Sequence, residues 1–213
     1  MSNENTSILF DILASRHSTR NFSSESVDKN LIEQIATTGM LAPFGSATGL
    51  TLEQTRRIFI ISPDSKIRRI LEAELQRILR TSSMKLGIAS KFVPMLRFFY
   101  QRVKQFADHG IPALSQHTYW VLISEKKGFP PVTKSSMAHA LQNMWLAATV
   151  MGLGFQLLSA SSLLVKSKQI RQLLELEPDE FDLDGCVIGT SGEISTVKQS
   201  FKQKDFTSNI IFK

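Results

Sequence analysis

Ser135-Ser136-Met137-Ala138-His139-Ala140-Leu141-Gln142-Asn143-Met144-Trp145-Leu146-Ala147-Ala148-Thr149-Val150-Met151-Gly152-Leu153-Gly154 opens a run with no formal charge that continues to Val165. A run of that length exceeds the ~20 residues needed to span a bilayer, so its reading decides between a membrane protein and a globular one. His139, Gln142, Asn143 and Gln156 interrupt it, and Gly152-Leu153-Gly154 is a helix stop. The stretch therefore predicts a helix over about 136–151, buried all round in a core or against a second subunit.

The composition around that helix agrees. The chain has 213 residues, 42% hydrophobic and 21% charged, with mean hydropathy −0.04. This excludes disordered, collagen-like and fibrous-repeat chains, and domains of ~100–200 residues leave room for one unit over 1–213. Cys186 is the single cysteine, so no internal disulfide framework, multi-cysteine zinc site or iron–sulfur cluster can form. Residues 1–6 are polar with an acid, and Asp11 interrupts the apolar cluster around Ile8 to Leu13, so no secretory signal is expected and the expected compartment is the cytoplasm. A formal charge of +6 favours anionic company: nucleic acid, a membrane surface, a phosphorylated cofactor or an acidic substrate. Much of the excess lies between Lys66 and Lys104, where helical spacing reads first as a solvated face.

Working outward, Ile8, Leu9, Ile12 and Leu13 predict a short helix behind a Ser7 cap, ending near Ser15. Val27, Leu31, Ile32, Ile35, Ala36 and Met40 mark a second helix. Pro43 must end it, because proline lacks the amide proton and disfavours helix in the residue before it. Residues 44–49 read as a loop, and Ile58-Phe59-Ile60-Ile61 as a strand covered on both faces. Ser62-Pro63-Asp64 offers a capping hydroxyl, a first-turn proline and an acid for the next helix. Gly87 and Pro94 break the helical spacing that continues to Phe106, and Phe92, Phe98, Phe99, Tyr100 and Phe106 make it aromatic. Residues of about 80–115 thus read as a helical insertion or lid, with the aromatics interleaved among apolar residues as in a core. Tyr119 to Ile123 and Cys186-Val187-Ile188 are strands, 170–174 is a short helix, and Phe201 to Phe212 is a tail expected to pack. Strands separated by helices predict a mixed α/β layer protein, and Rossmann and P-loop patterns are absent.

Chemistry concentrates in Arg16-His17-Ser18-Thr19-Arg20. Two guanidinium forks with a hydroxyl and an imidazole between them can converge on one phosphate. On the residues alone, a polar surface loop with two arginines accounts for them equally. Elsewhere, His139, Trp120 and Trp145 read as core, and Cys186 as a small buried hydrophobe. His109 and His117 have no acid or cysteine at ligand spacing, and the acids from Asp179 to Asp184 read as a solvated turn.

Arg16-His17-Ser18-Thr19-Arg20-Asn21-Phe22 resembles the opening Arg-x-Ser-x-Arg/Lys-x-Phe of the nitroreductase family of FMN-dependent enzymes. The spacing onward to Met40-Leu41-Ala42-Pro43 is similar to that family's second helix and Ala-Pro turn. Ala140 to Ala148 with Met151-Gly152-Leu153-Gly154 resembles its dimer-forming core helix, and Leu173-Leu174 with Val187-Ile188-Gly189 its C-terminal strand region. The resemblance implies an α+β fold: a three-layer α/β/α sandwich with a mixed, mainly antiparallel sheet, in a homodimer.

It further implies that Arg16, His17, Ser18 and Arg20 sit on the phosphate, ribityl and pyrimidine side of FMN. Lys204, with Lys202 as alternate, would close over the phosphate, although two solvated tail lysines fit the residues as well. Leu158 and Ser159 would offer backbone amides to the flavin ring, and Gln54 would replace a ring-side glutamine. The usual serine, asparagine and Gln-Pro-Trp-like segment after Ala-Pro is replaced by Phe44-Gly45-Ser46-Ala47-Thr48-Gly49, and Gly189-Thr190-Ser191 lacks the usual Gly-Tyr-Pro. Hydride from NADH or NADPH would pass to flavin N5 and then to an electron-poor small molecule such as a nitroaromatic or quinone. No side chain is assigned proton transfer. Neither nucleic acid nor membrane is expected as a partner. The alternatives are a flavin-binding protein without turnover, suggested by the missing asparagine, and a basic nucleic-acid-binding domain, suggested by the Lys66 to Lys104 cluster.

Overall fold

Residues 2–114 and 117–192 are described in the computed structural model. Strands β1 (Arg56–Ile61), β2 (Tyr119–Lys126), β3 (Gly154–Leu157) and β4 (Phe181–Gly189) form one sheet in the order β1-β2-β4-β3. Every pairing among them is antiparallel, with Ile58 opposite Ile123, Val121 opposite Cys186 and Phe155 opposite Ile188. Successive side chains of a strand point to opposite faces, and here both faces are covered. Trp120, Leu122, Leu183 and Val187 face helix α4 (Lys66–Phe92), a 3-10 helix (Ser159–Lys166) and α7 (Lys168–Leu173). Val121, Ile123, Cys186 and Ile188 face α2 (Lys29–Met40) and α6 (Thr133–Val150). This is the expected three-layer α/β/α sandwich of α+β class. Two separate cores flank the sheet, and each apolar side chain buried in them contributes ~1.5–3 kcal/mol.

Several local expectations need correction. Helix α1 (Ser2–Ser15) starts ahead of the predicted Ser7 cap, and its Ile8, Leu9 and Leu13 are exposed. Strand β1 is an edge strand with a half-buried middle, preceded by the one-turn α3 (Leu52–Thr55). The cap of α4 is Ser65, whose hydroxyl accepts the Ile67 N–H at 3.2 Å, while the Ser62 hydroxyl donates to Asp64 at 2.8 Å in the turn before it. Helix α4 passes unbroken through Gly87. A Cβ there would lie 3.1 Å from the Tyr100 ring of α5 (Leu96–His109), so that glycine serves helix packing. The break expected at Pro94 is there, with α4 ending at Phe92 and Val93 as its cap. Phe106 and Val103 pack on the core, but Phe92, Met95 and Phe98 at the tip of this hairpin are 81%, 87% and 74% exposed. Helix α6 matches its prediction closely; within the single chain Ala138, His139 and Val150 are exposed, so His139 lies outside the chain's own core. Strand β3 and the 3-10 helix had no counterpart in the sequence reading. Among the described residues no helix is long and apolar enough to cross a membrane.

Candidate functional site

The 16–20 segment is held in place by its least polar member. As α1 ends, the Arg16 N–H still donates to Ile12 O at 3.1 Å, and the chain then runs along the edge of β3 that no strand covers. The Thr19 N–H donates to Phe155 O at 3.0 Å, and the Phe155 N–H donates to Thr19 Oγ1 at 3.3 Å. Beyond it, the Ser23 N–H donates to Thr190 O and the Gly192 N–H to Asn21 O, both at 2.9 Å, joining this segment to the continuation of β4. Thr19 is buried, with half-buried Ser18 and exposed Arg20 on either side of it. Gly154 makes the approach possible, since a Cβ there would sit 2.8 Å from Thr19 Cγ2 and 3.0 Å from Phe22 Cε1.

Trp145 of α6 organises the other end of the segment. The Arg16 guanidinium carbon lies 4.1 Å over its ring, and its Nε1–H donates to His17 O at 3.2 Å. The same ring stacks on Phe155, centroids 5.1 Å apart and planes 15° from parallel. Arg16, His17, Ser18 and Arg20 therefore lie on one segment along the β3 edge of the sheet, its backbone bonded to β3 and α6. His17 is exposed, its Nδ1 3.1 Å from Ser15 O.

The ring-side residues expected from the sequence have other partners. The Leu158 N–H donates to Gly185 O at 2.9 Å, so that amide belongs to the fold. Ser159 opens the 3-10 helix, its carbonyl accepting from the Ser162 hydroxyl at 2.7 Å. Gln54 Oε1 accepts the Thr51 N–H at 3.0 Å, closing a capping box on α3. Lys202 and Lys204 lie outside the described residues, as does the tail.

A buried ion pair that the sequence reading missed fixes the loop after α2. Arg56 and Glu125 have no exposed side-chain surface, with Nε 2.6 Å from Oε1. The guanidinium also donates to Gly39 O at 2.9 Å, Ala42 O at 2.8 Å, Pro43 O at 3.1 Å and Ser136 Oγ at 3.0 Å. One cation thus ties the Ala42-Pro43 turn to β1, β2 and α6. Burial pushes the Glu125 carboxyl up from its ordinary value, against the pull of Ser136 and Arg56, and its Oε2 has no partner. The loop over 44–49 is zipped to the next connection by the Ala47 N–H to Phe129 O and the Ser46 hydroxyl to Pro130 O, both 2.9 Å. No group of three or more His, Cys, Asp or Glu able to hold a metal occurs among the described residues.

The model of the nitroreductase family matches residues 13–190, from within α1 to just past β4. The chain belongs to the nitroreductase family. Its fold is shared by a Bacteroides fragilis nitroreductase solved with bound FMN, at 18% identity and TM-score 0.62, covering 87% of this chain and 90% of that one. A BluB-like flavoprotein from Clostridium difficile matches at 18% identity and TM-score 0.65 over 96% and 98% of the two chains. An iodotyrosine deiodinase bound to FMN and 3-iodo-L-tyrosine matches at 20% identity and TM-score 0.60 over 87% and 90%. At such identities the likeness is one of fold. No curated protein matches the chain by sequence.

Proposed function

We propose that this nitroreductase-family chain is an FMN-dependent oxidoreductase that draws on NADH or NADPH and reduces an electron-poor small molecule such as a nitroaromatic or quinone. The observation that carries the reading is the seat formed at 16–20: a cation held over Trp145, a hydroxyl and a second cation, all on a backbone bonded to β3. That donor set fits a phosphate, because charge-assisted bonds from arginine and a serine hydroxyl suit its oxygens. Arg16, Ser18 and Arg20 would hold the phosphate, with His17 beside them and Lys204 or Lys202 added from the tail. Bound FMN would supply the hydride-accepting ring, chemistry that no side chain of this protein offers. Of the two ring-side amides, Ser159 is the one not bonded to Gly185.

The exposed uncharged faces of α1 (Ile8, Leu9, Leu13) and α6 (Ala138, Val150) suit a second copy of the chain, and we read the assembly as a cytoplasmic homodimer. Residues of about 80–115 of a single domain, which take in the second half of α4 and all of α5, are read as a lid whose exposed Phe92 and Phe98 meet the acceptor. A flavin-binding chain without turnover is the second reading, favoured by the prior engagement of the Leu158 amide and the Gln54 oxygen. Anaerobic titration of the flavin-loaded, full-length protein with NADH and NADPH, followed by visible absorption, separates the two. Bleaching that menadione or 4-nitrobenzoate reverses supports the oxidoreductase. Bound flavin that neither nicotinamide bleaches supports the second reading, and a chain that takes up no FMN refutes both.

A further inference from the structure

We infer that Trp145 is a positioning residue for anion binding: it holds Arg16 in the conformation that grips a phosphate, an inference that rests on the FMN reading above. The indole makes three engagements at once, with the Arg16 guanidinium at 4.1 Å, the His17 carbonyl at 3.2 Å and the Phe155 ring at 5.1 Å. Tryptophan alone among apolar side chains combines the strongest cation-attracting face with an N–H donor at its edge. Its neighbours along the buried stripe of α6 are Met137, Ala140, Leu141, Met144 and Ala148, any of which would fill space without holding a cation. With its central carbon 4.1 Å from the ring centroid, the Arg16 guanidinium has its charge engaged by the indole, while its N–H donors lie in its own plane, where an anion is met. The rotamer freedom that a long cationic side chain otherwise loses on gripping an anion is thus given up on folding. The Nε1–H to His17 O bond does the same for the backbone between Arg16 and Ser18.

The distinguishing property of such a residue is that it acts on the phosphate and not on the ring. Full-length protein stripped of flavin would be titrated with FMN and with riboflavin, which lacks the phosphate, using quenching of flavin fluorescence. Trp145→Leu removes the cation-binding face and is expected to weaken FMN by about 2- to 30-fold, the range of a cation–π contact from exposed to desolvated, while riboflavin changes less than about twofold. Trp145→Phe keeps a weaker face and is expected to fall between the unaltered protein and Trp145→Leu for FMN. Because it is the milder change, it carries the same FMN-against-riboflavin comparison even where the leucine variant folds poorly. In an Arg16→Ala background, Trp145→Leu should cost clearly less FMN affinity than it does in the unaltered chain, leaving only the share carried by the His17 carbonyl bond.

Equal weakening of FMN and riboflavin would mean that Trp145 only supports the fold. Tighter FMN binding in Trp145→Leu would mean that the ring competes with the phosphate for Arg16. Additive effects of Arg16→Ala and Trp145→Leu would mean that the two act apart. Each of these overturns the inference while the FMN reading stands, whereas an unaltered chain that binds no FMN removes both.

Discussion

Replacing Arg56 with methionine would delete a guanidinium while keeping most of its volume, and would leave the Glu125 carboxylate buried with Ser136 Oγ, 3.1 Å from Oε1, as its remaining partner. Breaking a buried pair by removing one member typically costs ~3–5 kcal/mol, because the other charge stays uncompensated. In a chain of this size each kcal/mol lowers the melting temperature by ~2–4 °C, so a fall of ~6–20 °C is expected. The double variant Arg56→Met with Glu125→Leu removes that charge and should lose less. Gly39 O still accepts the Ala42 N–H and Pro43 O the Ser136 hydroxyl, leaving the Ala42 carbonyl as the acceptor stripped of its donor, worth ~1–3 kcal/mol. Burial raises the Glu125 carboxyl above its ordinary 4.5, so its favourable contribution is fully present below 4.5 and is lost as pH rises through the raised value. Arg56 pulls that carboxyl down, so in Arg56→Met it rises further and takes up its proton more readily, and the deficit should be smaller at pH 5 than at pH 8. Thermal melting followed by circular dichroism measures the first, and urea unfolding at both pH values measures the cost in each variant and its pH dependence. A single variant within ~1 kcal/mol of the unaltered chain, or a double variant costlier than the single, would refute the argument that an unpaired buried charge dominates.

Gly154→Ala puts a methyl group 2.8 Å from Thr19 Cγ2, and is expected to cost ~1–3 kcal/mol in urea unfolding; a neutral result would mean that the Thr19 segment yields easily. The Arg77 guanidinium, bonded twice to Glu74 at 2.7 Å, holds that carboxyl down to about 2, so its contribution is present above 4.5 and lost as pH falls through 2. Arg77 is 66% exposed, which limits the gain to ~1 kcal/mol or less: Glu74→Gln should lower stability by that amount at pH 7 and by only a small part of it at pH 2. Phe92→Ser with Phe98→Ser touches only exposed rings and should shift stability by less than ~0.5 kcal/mol. The same double variant should raise the KM of an aromatic acceptor several-fold, and an unchanged KM would discard the lid.

What the sequence made legible is what local pattern controls. Ile32, Ile35 and Ala36 carry a helical stripe, and Met137 through Ala148 another, because those helices pack one face on a sheet. The unbroken apolar run of β2 reflects a strand covered on both sides. What stayed hidden depends on partners distant in the chain. Arg56 looks like a solvated charge ahead of a strand, and its counter-ion is 69 residues away. Gly87 looks like a helix breaker until Tyr100 is seen against it. Thr19 passes for a spacer between more polar neighbours, although its backbone ties that segment to β3. The amide of Leu158 has no side-chain signature at all, and only the fold shows Gly185 as its acceptor.

The β3 edge on which Thr19 rests has consequences for the order of synthesis. Within the sheet β3 pairs with β4 alone, and residues 21–23 bond to residues 190–192, so the 16–23 segment lacks part of its support until β3 and β4 have left the ribosome. Domains usually begin to fold from the end that emerges first. Here the 16–20 segment must wait for distant partners, and a chain stopped after α6 would have Trp145 for Arg16 but no β3 edge for Thr19.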